Sequence, residues 1–295
     1  MPPAVTAEVE RIMRIIFEEF EASLRLATQG WKKAGRILKI VLYGAHARGA
    51  RGDQTDDPDA SYRAAYDILI VVNDERLTDI TAYWSLAEDR LLREVTIART
   101  IGAPVNIIVH DLADINRHLV QGRPFFVDII TQGIVLYEAE GFAFAQPGQR
   151  APDRARQEAN TYFNAWFSTA SEFLAAAGFH RRRSSPRLVA FNLHQAAERF
   201  YHCVLLTLTL YSPQSHKLTV LRSHGEQTDQ RLVAAWPRAT RFERRCFERL
   251  RQAYVDARYS PDYQIDENEL DWLMGRVGLL QIIVAEVCAE HLRQP

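Results

Sequence analysis

Two stretches of this chain place residues in an order that suits phosphate chemistry. Leu42-Tyr43-Gly44-Ala45-His46-Ala47-Arg48-Gly49 ends an apolar run in a glycine turn and follows it with an arginine, and Tyr66-Asp67-Ile68-Leu69-Ile70-Val71-Val72 opens a second apolar run with a carboxylate. A glycine lets backbone approach a ligand closely, and amides that follow a strand receive phosphate oxygens. A hard magnesium ion wants carboxylate oxygens. Period-two spacing puts positions 65 and 67 on one side of a strand, and here they are Ala65 and Asp67. The segment Val105-Asn106-Ile107-Ile108-Val109-His110 offers Asn106, an oxygen without charge. His110, two pleats on, is a poor magnesium ligand. The expected site is therefore Gly44, Ala45 and Arg48 around a phosphate, with Asp67 as residual carboxylate and metal ligand and Asn106 beside it. Arg48 reads either as a phosphate contact or as a surface or ion-paired arginine. Asp67 reads either as a cleft residue or as a cap or ion-pair partner. Asp53, Asp56, Asp57 and Asp59 are substitute ligands or a solvated acidic loop.

A second group of polar residues lies further on. In Ala190 to Leu205, the residues Leu193, Ala197, Phe200, Tyr201 and Val204 fall on one helical face, while His194, Glu198 and His202 recur at i, i+4 and i+8 on another stripe. The stripe suits either a metal, given a third convergent ligand, or an exposed polar face, which is the expectation adopted here. Arg187 and His194 have six residues between them, a spacing read as coincidence. Ser215-His216-Lys217-Leu218 and Ala257-Arg258-Tyr259-Ser260-Pro261-Asp262-Tyr263 complete the group.

The elements that must carry these residues change class along the chain. An amphipathic helix from Val5 to about Ala27 is followed by a strand at Ile37 to Leu42, a loop from Gly49 to Arg63 and a buried strand at Asp67 to Val72. A helix from about Ile80 to Ile101, a strand Val105 to Val109, short helices near 114–119 and 125–131, and a strand Ile134 to Tyr137 complete a mixed α/β half. Gln146 to Pro152 reads as a linker. Beyond it, helices at Arg154 to Ala177, Pro186 to Leu210, Asp229 to Arg258 (with a possible break at Trp236-Pro237) and Glu267 to Leu292 suit an up-and-down bundle.

Composition narrows the function classes. The 295 residues are enough for two domains, and a net charge of −1 gives no global case for binding nucleic acid, although Arg181-Arg182-Arg183 and Arg244-Arg245 allow a local patch. Cys203, Cys246 and Cys288 are few and scattered, which fits a reducing cytoplasm. No apolar run reaches the roughly 20 residues that span a bilayer, so no membrane role is expected.

The glycine turn, the Ala-Arg-Gly at positions 47–49 and the carboxylate opening the next strand resemble the polymerase-beta-like nucleotidyltransferases. The helical motifs resemble the HEPN family of bundles, particularly those fused behind a minimal nucleotidyltransferase domain, and Phe125-Phe126-Val127-Asp128-Ile129 and Gly133-Ile134-Val135-Leu136-Tyr137 resemble the end of the fused family's first domain. The resemblance implies an α+β protein: a small nucleotidyltransferase domain with a mixed sheet at 1–145, then an all-α HEPN four-helix bundle at 146–295. It implies a cleft lined by Gly44, Arg48 and Asp67 and by the HEPN residues His194, Glu198, His202, Arg258, Tyr259 and Tyr263. HEPN ribonucleases carry an arginine, then four to six residues, then a histidine. Here Arg258 is followed by Asp262 and Tyr263. The leading expectation is a nucleotide-binding fusion protein with a degenerate metal site, taking a nucleoside triphosphate with weak or absent dependence on Mg2+, with nucleotidyl transfer weak or lost. Alternatives are an active nucleotidyltransferase acting on a small molecule, protein or RNA, and a toxin–antitoxin-related HEPN interaction module. By resemblance the helical half forms a homodimer. RNA is a partner that net charge does not support.

Overall fold

The computed structural model describes residues 3–49 and 64–293, and the chain divides into two compact units, Met1–Gln149 and Arg150–Pro295. Asp53, Asp56, Asp57 and Asp59 lie outside the described residues.

The first unit begins with helix α1 (Pro3–Leu24), whose Val9, Ile12, Ile15, Ile16 and Phe20 recur at helical spacing and are all buried. A single turn, α2 (Gly30–Lys33), leads to strand β1 (Ile37–Tyr43), and β2 (Tyr66–Val72) follows. Both strands are buried along their whole length, as their near-continuous apolar composition requires. The expected helix from Ile80 to Ile101 is instead α3 (Ile80–Tyr83) and α4 (Ser85–Thr96), divided at Trp84. That indole stacks on Phe20 with centroids 4.7 Å apart and donates to the Leu77 carbonyl at 2.7 Å. Seating the ring draws the Trp84 backbone to φ −121°, outside helical geometry. Strand β3 (Val105–Asp111), helices α5 (Leu112–Val120) and α6 (Pro124–Gln132) and strand β4 (Ile134–Glu138) complete the unit. The sheet is mixed, in the order β3-β2-β1-β4, with β2 and β3 parallel and the other pairs antiparallel. Its register sets Asp67 opposite Tyr43 on one side and Asn106 on the other.

Among its described residues the second unit contains helices and no strands. The long helices α7 (Pro152–Arg182), α8 (Pro186–Thr209) and α12 (Glu267–Arg293) pack on one another, with α8 central, and α9 (Leu218–Thr228), α10 (Arg241–Gln252) and α11 (Asp256–Tyr259) pack against α8. The helical stretch expected over Asp229 to Arg258, with its possible break at Trp236-Pro237, is three pieces: a 3-10 turn at Gln230–Ala235, α10 and α11. The first break falls at Trp236-Pro237, as expected, where the buried Trp236 indole donates to the Tyr201 hydroxyl at 2.8 Å, and the second lies between Gln252 and Asp256. Helix α9 has no counterpart among the expected elements. It holds Gly225 because a Cβ there would lie 2.8 Å from Cδ1 of the Tyr201 ring, so the helix approaches α8 more closely than any side chain allows. Of the described helices, α12 alone is long and apolar enough to cross a membrane by length and composition. Its Leu270, Leu273, Val277, Leu280, Val284 and Val287 are buried in the core of the unit, the arrangement of a core helix in a globular fold. Cys203, Cys246 and Cys288 are buried free thiols, and a hydrogen bond with Cys288, together with burial, pushes the Cys203 thiol up.

Candidate functional site

In the sheet unit the glycine turn forms as its sequence requires. Gly44 has φ 73°, a conformation costly to other residues, and the Arg48 amide donates back to the Gly44 carbonyl at 3.2 Å. Ala45 is half-buried and Arg48 exposed, with its charge acting on the Asp128 carboxyl of α6. His46, not singled out in the sequence, is the joint of this edge. Its ring stacks on Tyr66 at 4.1 Å and its Nε2 lies 2.8 Å from the Ala64 carbonyl, while the Tyr66 hydroxyl donates to Glu8 at 2.8 Å. The motif's third position is thus a structural bridge between the end of β1 and the start of β2.

Asp67 and Asn106 meet as their register predicts, but not at an open cleft. Asp67 is fully buried and accepts a 2.9 Å hydrogen bond from the Asn106 amide, itself buried. That bond occupies a carboxylate oxygen with a donor where a metal would need it bare. Ala65 is buried too. Among the described residues, no group of three or more His, Cys, Asp or Glu side chains is arranged to hold a metal ion. The residues at these positions therefore do not fit the paired magnesium ions of nucleotidyl transfer.

The expected exposed stripe of the helical unit is buried. His194 is 1% exposed, Glu198 6% and His202 7%. The reason lies in partners from distant segments that one helix's periodicity cannot reveal. The His194 Nδ1–H donates to the Leu250 carbonyl of α10 at 2.9 Å, and Nε2 lies 3.4 Å from the Glu198 carboxylate. His202 Nδ1 pairs with the Ser212 hydroxyl at 2.7 Å beside Trp166, and burial lowers the pKa of this imidazole, favouring its neutral form.

Glu198 joins this interior to the surface. Its Oε1 accepts the His216 Nδ1–H at 2.9 Å, and the His216 side chain is 66% exposed while that of Glu198 is 8% exposed. Burial alone would raise the Glu198 carboxyl, but its contacts with His194 and His216 outweigh this and hold it below the usual carboxylate range. A carboxylate that accepts from Nδ1 fixes the ring and, in the neutral imidazole, leaves Nε2 as the outward acceptor. His216 stacks on Tyr254 with centroids 5.2 Å apart, and the Arg258 guanidinium lies 4.5 Å from the same ring. Arg258 also donates to the Tyr254 carbonyl at 2.6 Å, and its flank is Tyr259, 74% exposed. His216, two residues before α9, and Arg258 thus lie against the same Tyr254 ring.

The remaining expected residues separate from this face. Tyr263 is buried, donates its hydroxyl to the Arg249 carbonyl at 3.0 Å, and has its phenol pushed up by that burial. Arg187 donates to the Pro261 and Tyr263 carbonyls, not to His194. Of the cleft residues read from sequence, Arg258 and Tyr259 belong to one surface, and the buried Glu198 reaches it through His216. His194 and His202 support it from inside.

Residues 163–280 match the HEPN domain family, a span that holds all of His194, Glu198, His202, His216, Tyr254, Arg258, Tyr259 and Tyr263. The sheet unit lies outside that match. No curated protein matches the chain.

Proposed function

We propose that this is a nucleotide-binding protein whose phosphate-directed groups lie in the helical unit, on the face of His216, Tyr254 and Arg258, and that binding there needs no metal. The observation that carries the reading is the Glu198–His216 pair, in which a buried carboxylate receives a 2.9 Å hydrogen bond from an exposed imidazole. A carboxylate held in the core and aimed at one surface ring gives that ring a defined tautomer and direction. Arg258 adds a permanent cation beside it, and the exposed Tyr259 ring is a surface on which a base can stack. The HEPN match, a nucleotide-related and ribonuclease-type module, supports the same assignment. In the sheet unit the closed Asp67–Asn106 pair favours weak or lost nucleotidyl transfer.

One observation favours a second reading, phosphodiester cleavage in the helical unit. His216 and Arg258 both lie within 5.2 Å of the Tyr254 centroid, so a proton-transfer group and a charge stabiliser share one surface. Calorimetric titration of the full chain with ATP in EDTA tests the primary reading. Hydrogen bonds to charged groups are worth about 1.5–3 kcal/mol, so Arg258→Ala is expected to bind at least tenfold more weakly with little change in melting temperature. Unchanged affinity in both Arg258→Ala and His216→Asn removes the site from this face. RNA cleavage that His216→Asn abolishes while binding survives establishes the second reading.

A further inference from the structure

A cavity of about 820 Å³ opens at the start of α8, lined by Arg187 and Leu188 of that helix, by Arg245 and Arg249 of α10, and by Tyr263 and Ile265. Its volume is in the range of small-molecule sites. The charges around it do not cancel. Two carboxylates, Asp266 and Glu269, reach the lining, and both are engaged. Glu269 accepts from Arg245 at 2.6 Å and from the Asp266 amide at 3.1 Å, and Asp266 accepts from the Glu269 amide at 2.8 Å. Asp266 caps α12 and keeps its charge, while Glu269 neutralises Arg245, so three guanidinium groups against two carboxylates leave the lining with one net positive charge.

Arg187 and Arg249 keep their charge. Arg187 donates through Nη2 to the Pro261 and Tyr263 carbonyls at 2.7 and 3.2 Å, neutral acceptors that fix the guanidinium without cancelling it. Among the described residues, no carboxylate forms an ion pair with Arg249. Helix α8 adds to the positive field, because it starts with Pro186 and the Ser185 side chain does not cap it. Leu188 and Ile265 give the same cavity an apolar wall.

We propose that this cavity binds a phosphomonoester of a small molecule, with the phosphate between Arg187 and Arg249 and an apolar or aromatic body against Leu188 and Ile265. Guanidinium forks match phosphate oxygens in geometry as well as charge, and one of the two forks is already held in place by backbone carbonyls. The site is separate from the His216–Arg258 face and stands or falls without it.

The probe is phenyl phosphate, titrated calorimetrically into the full chain carrying Arg258→Ala, so that the other face contributes as little as possible. Inorganic phosphate and phenol are the parallel probes. Phenyl phosphate is expected to bind with a millimolar or lower Kd, inorganic phosphate more weakly and phenol not measurably. Adding Arg249→Ala or Arg249→Glu should weaken phenyl phosphate at least tenfold, and Arg249→Lys by less. The Tyr263 bond to the Arg249 carbonyl survives all three changes, since it uses backbone. Far-ultraviolet dichroism checks the fold of each variant. Phenyl phosphate affinity that is absent, or that is equal in the parent and in folded Arg249→Ala and Arg249→Glu, overturns the proposal. Phenol binding as tightly as phenyl phosphate overturns the phosphate assignment.

Discussion

Replacing Asn106 separates a closed polar pair from a metal site. The Asn106 amide donates at 2.9 Å to a fully buried Asp67 carboxylate. Asn106→Ala removes a hydrogen bond to a charged, desolvated group, a loss of about 1.5–3 kcal/mol. At about 2–4 °C per kcal/mol, this lowers the melting of the sheet unit by about 3–12 °C. Asn106→Asp is nearly isosteric but sets two carboxylates about 3 Å apart, a repulsion of about 5 kcal/mol at an effective dielectric near 20. The folded variant escapes by binding one proton. At about 1.4 kcal/mol per pH unit above a reference carboxyl near 3.9, that costs about 4 kcal/mol at pH 7 and about 1.5 at pH 5. Because the folded state then binds a proton that the unfolded state does not, stability falls as pH rises through this window. The Asn106→Ala loss has no such slope. The assay is urea unfolding at pH 5 and pH 7, read by hydrogen exchange on peptides covering β2 and β3, since a chain of two units need not unfold in one step. The reasoning is refuted if Asn106→Ala is neutral, or if Asn106→Asp is no more sensitive to pH than Asn106→Ala.

Other substitutions probe the remaining contacts. Gly225→Ala drives a methyl to within 2.8 Å of the Tyr201 ring, so overpacking of about 1–3 kcal/mol should exceed the helix-propensity gain of about 1 kcal/mol; a urea midpoint at or above wild type would contradict this. Asp114 is held well below the usual carboxylate range, first by its hydrogen bond from His110 and then by His118, so Asp114→Asn should cost about 1–2 kcal/mol at pH 7. The contribution of a depressed carboxyl is full above its unfolded value near 3.9 and is lost as pH falls through the lower folded value. The difference between wild type and Asp114→Asn should therefore still be present at pH 5 and shrink only below about pH 4. Arg48→Ala, at an exposed position, should leave both melting temperature and ATP affinity unchanged. A tenfold loss of affinity would move the phosphate to the Gly44 turn.

The sequence reveals the sheet unit well because its signals are local. The apolar run after Asp67 could only be a buried strand, and Gly44 marks a backbone that folds with φ above zero. The placing of Asn106 beside Asp67 follows from the family resemblance, since period-two alternation fixes only the face of each strand, and the hydrogen bond that closes the pair follows from neither. The helical site is less legible because its partners are far apart in the chain. Helical spacing groups His194, Glu198 and His202 correctly, but their burial depends on Leu250, Ser212 and His216, none of them on α8. Gly225 hides α9, since a glycine lowers helix propensity where a tight approach to Tyr201 demands it. Likewise Trp84 divides an otherwise continuous helical pattern for a tertiary reason, its stacking on Phe20.

Nucleotide binding without a metal is tested most directly by titrating ATP into wild-type protein in EDTA and again in excess magnesium. The Asp67–Asn106 pair and the His216–Arg258 face predict measurable binding in EDTA and Kd values within about threefold of each other, a difference below about 0.7 kcal/mol. Binding seen only with magnesium, or tightened tenfold or more by it, would contradict the assignment, since about 1.4 kcal/mol would then come from a metal that neither site is built to hold.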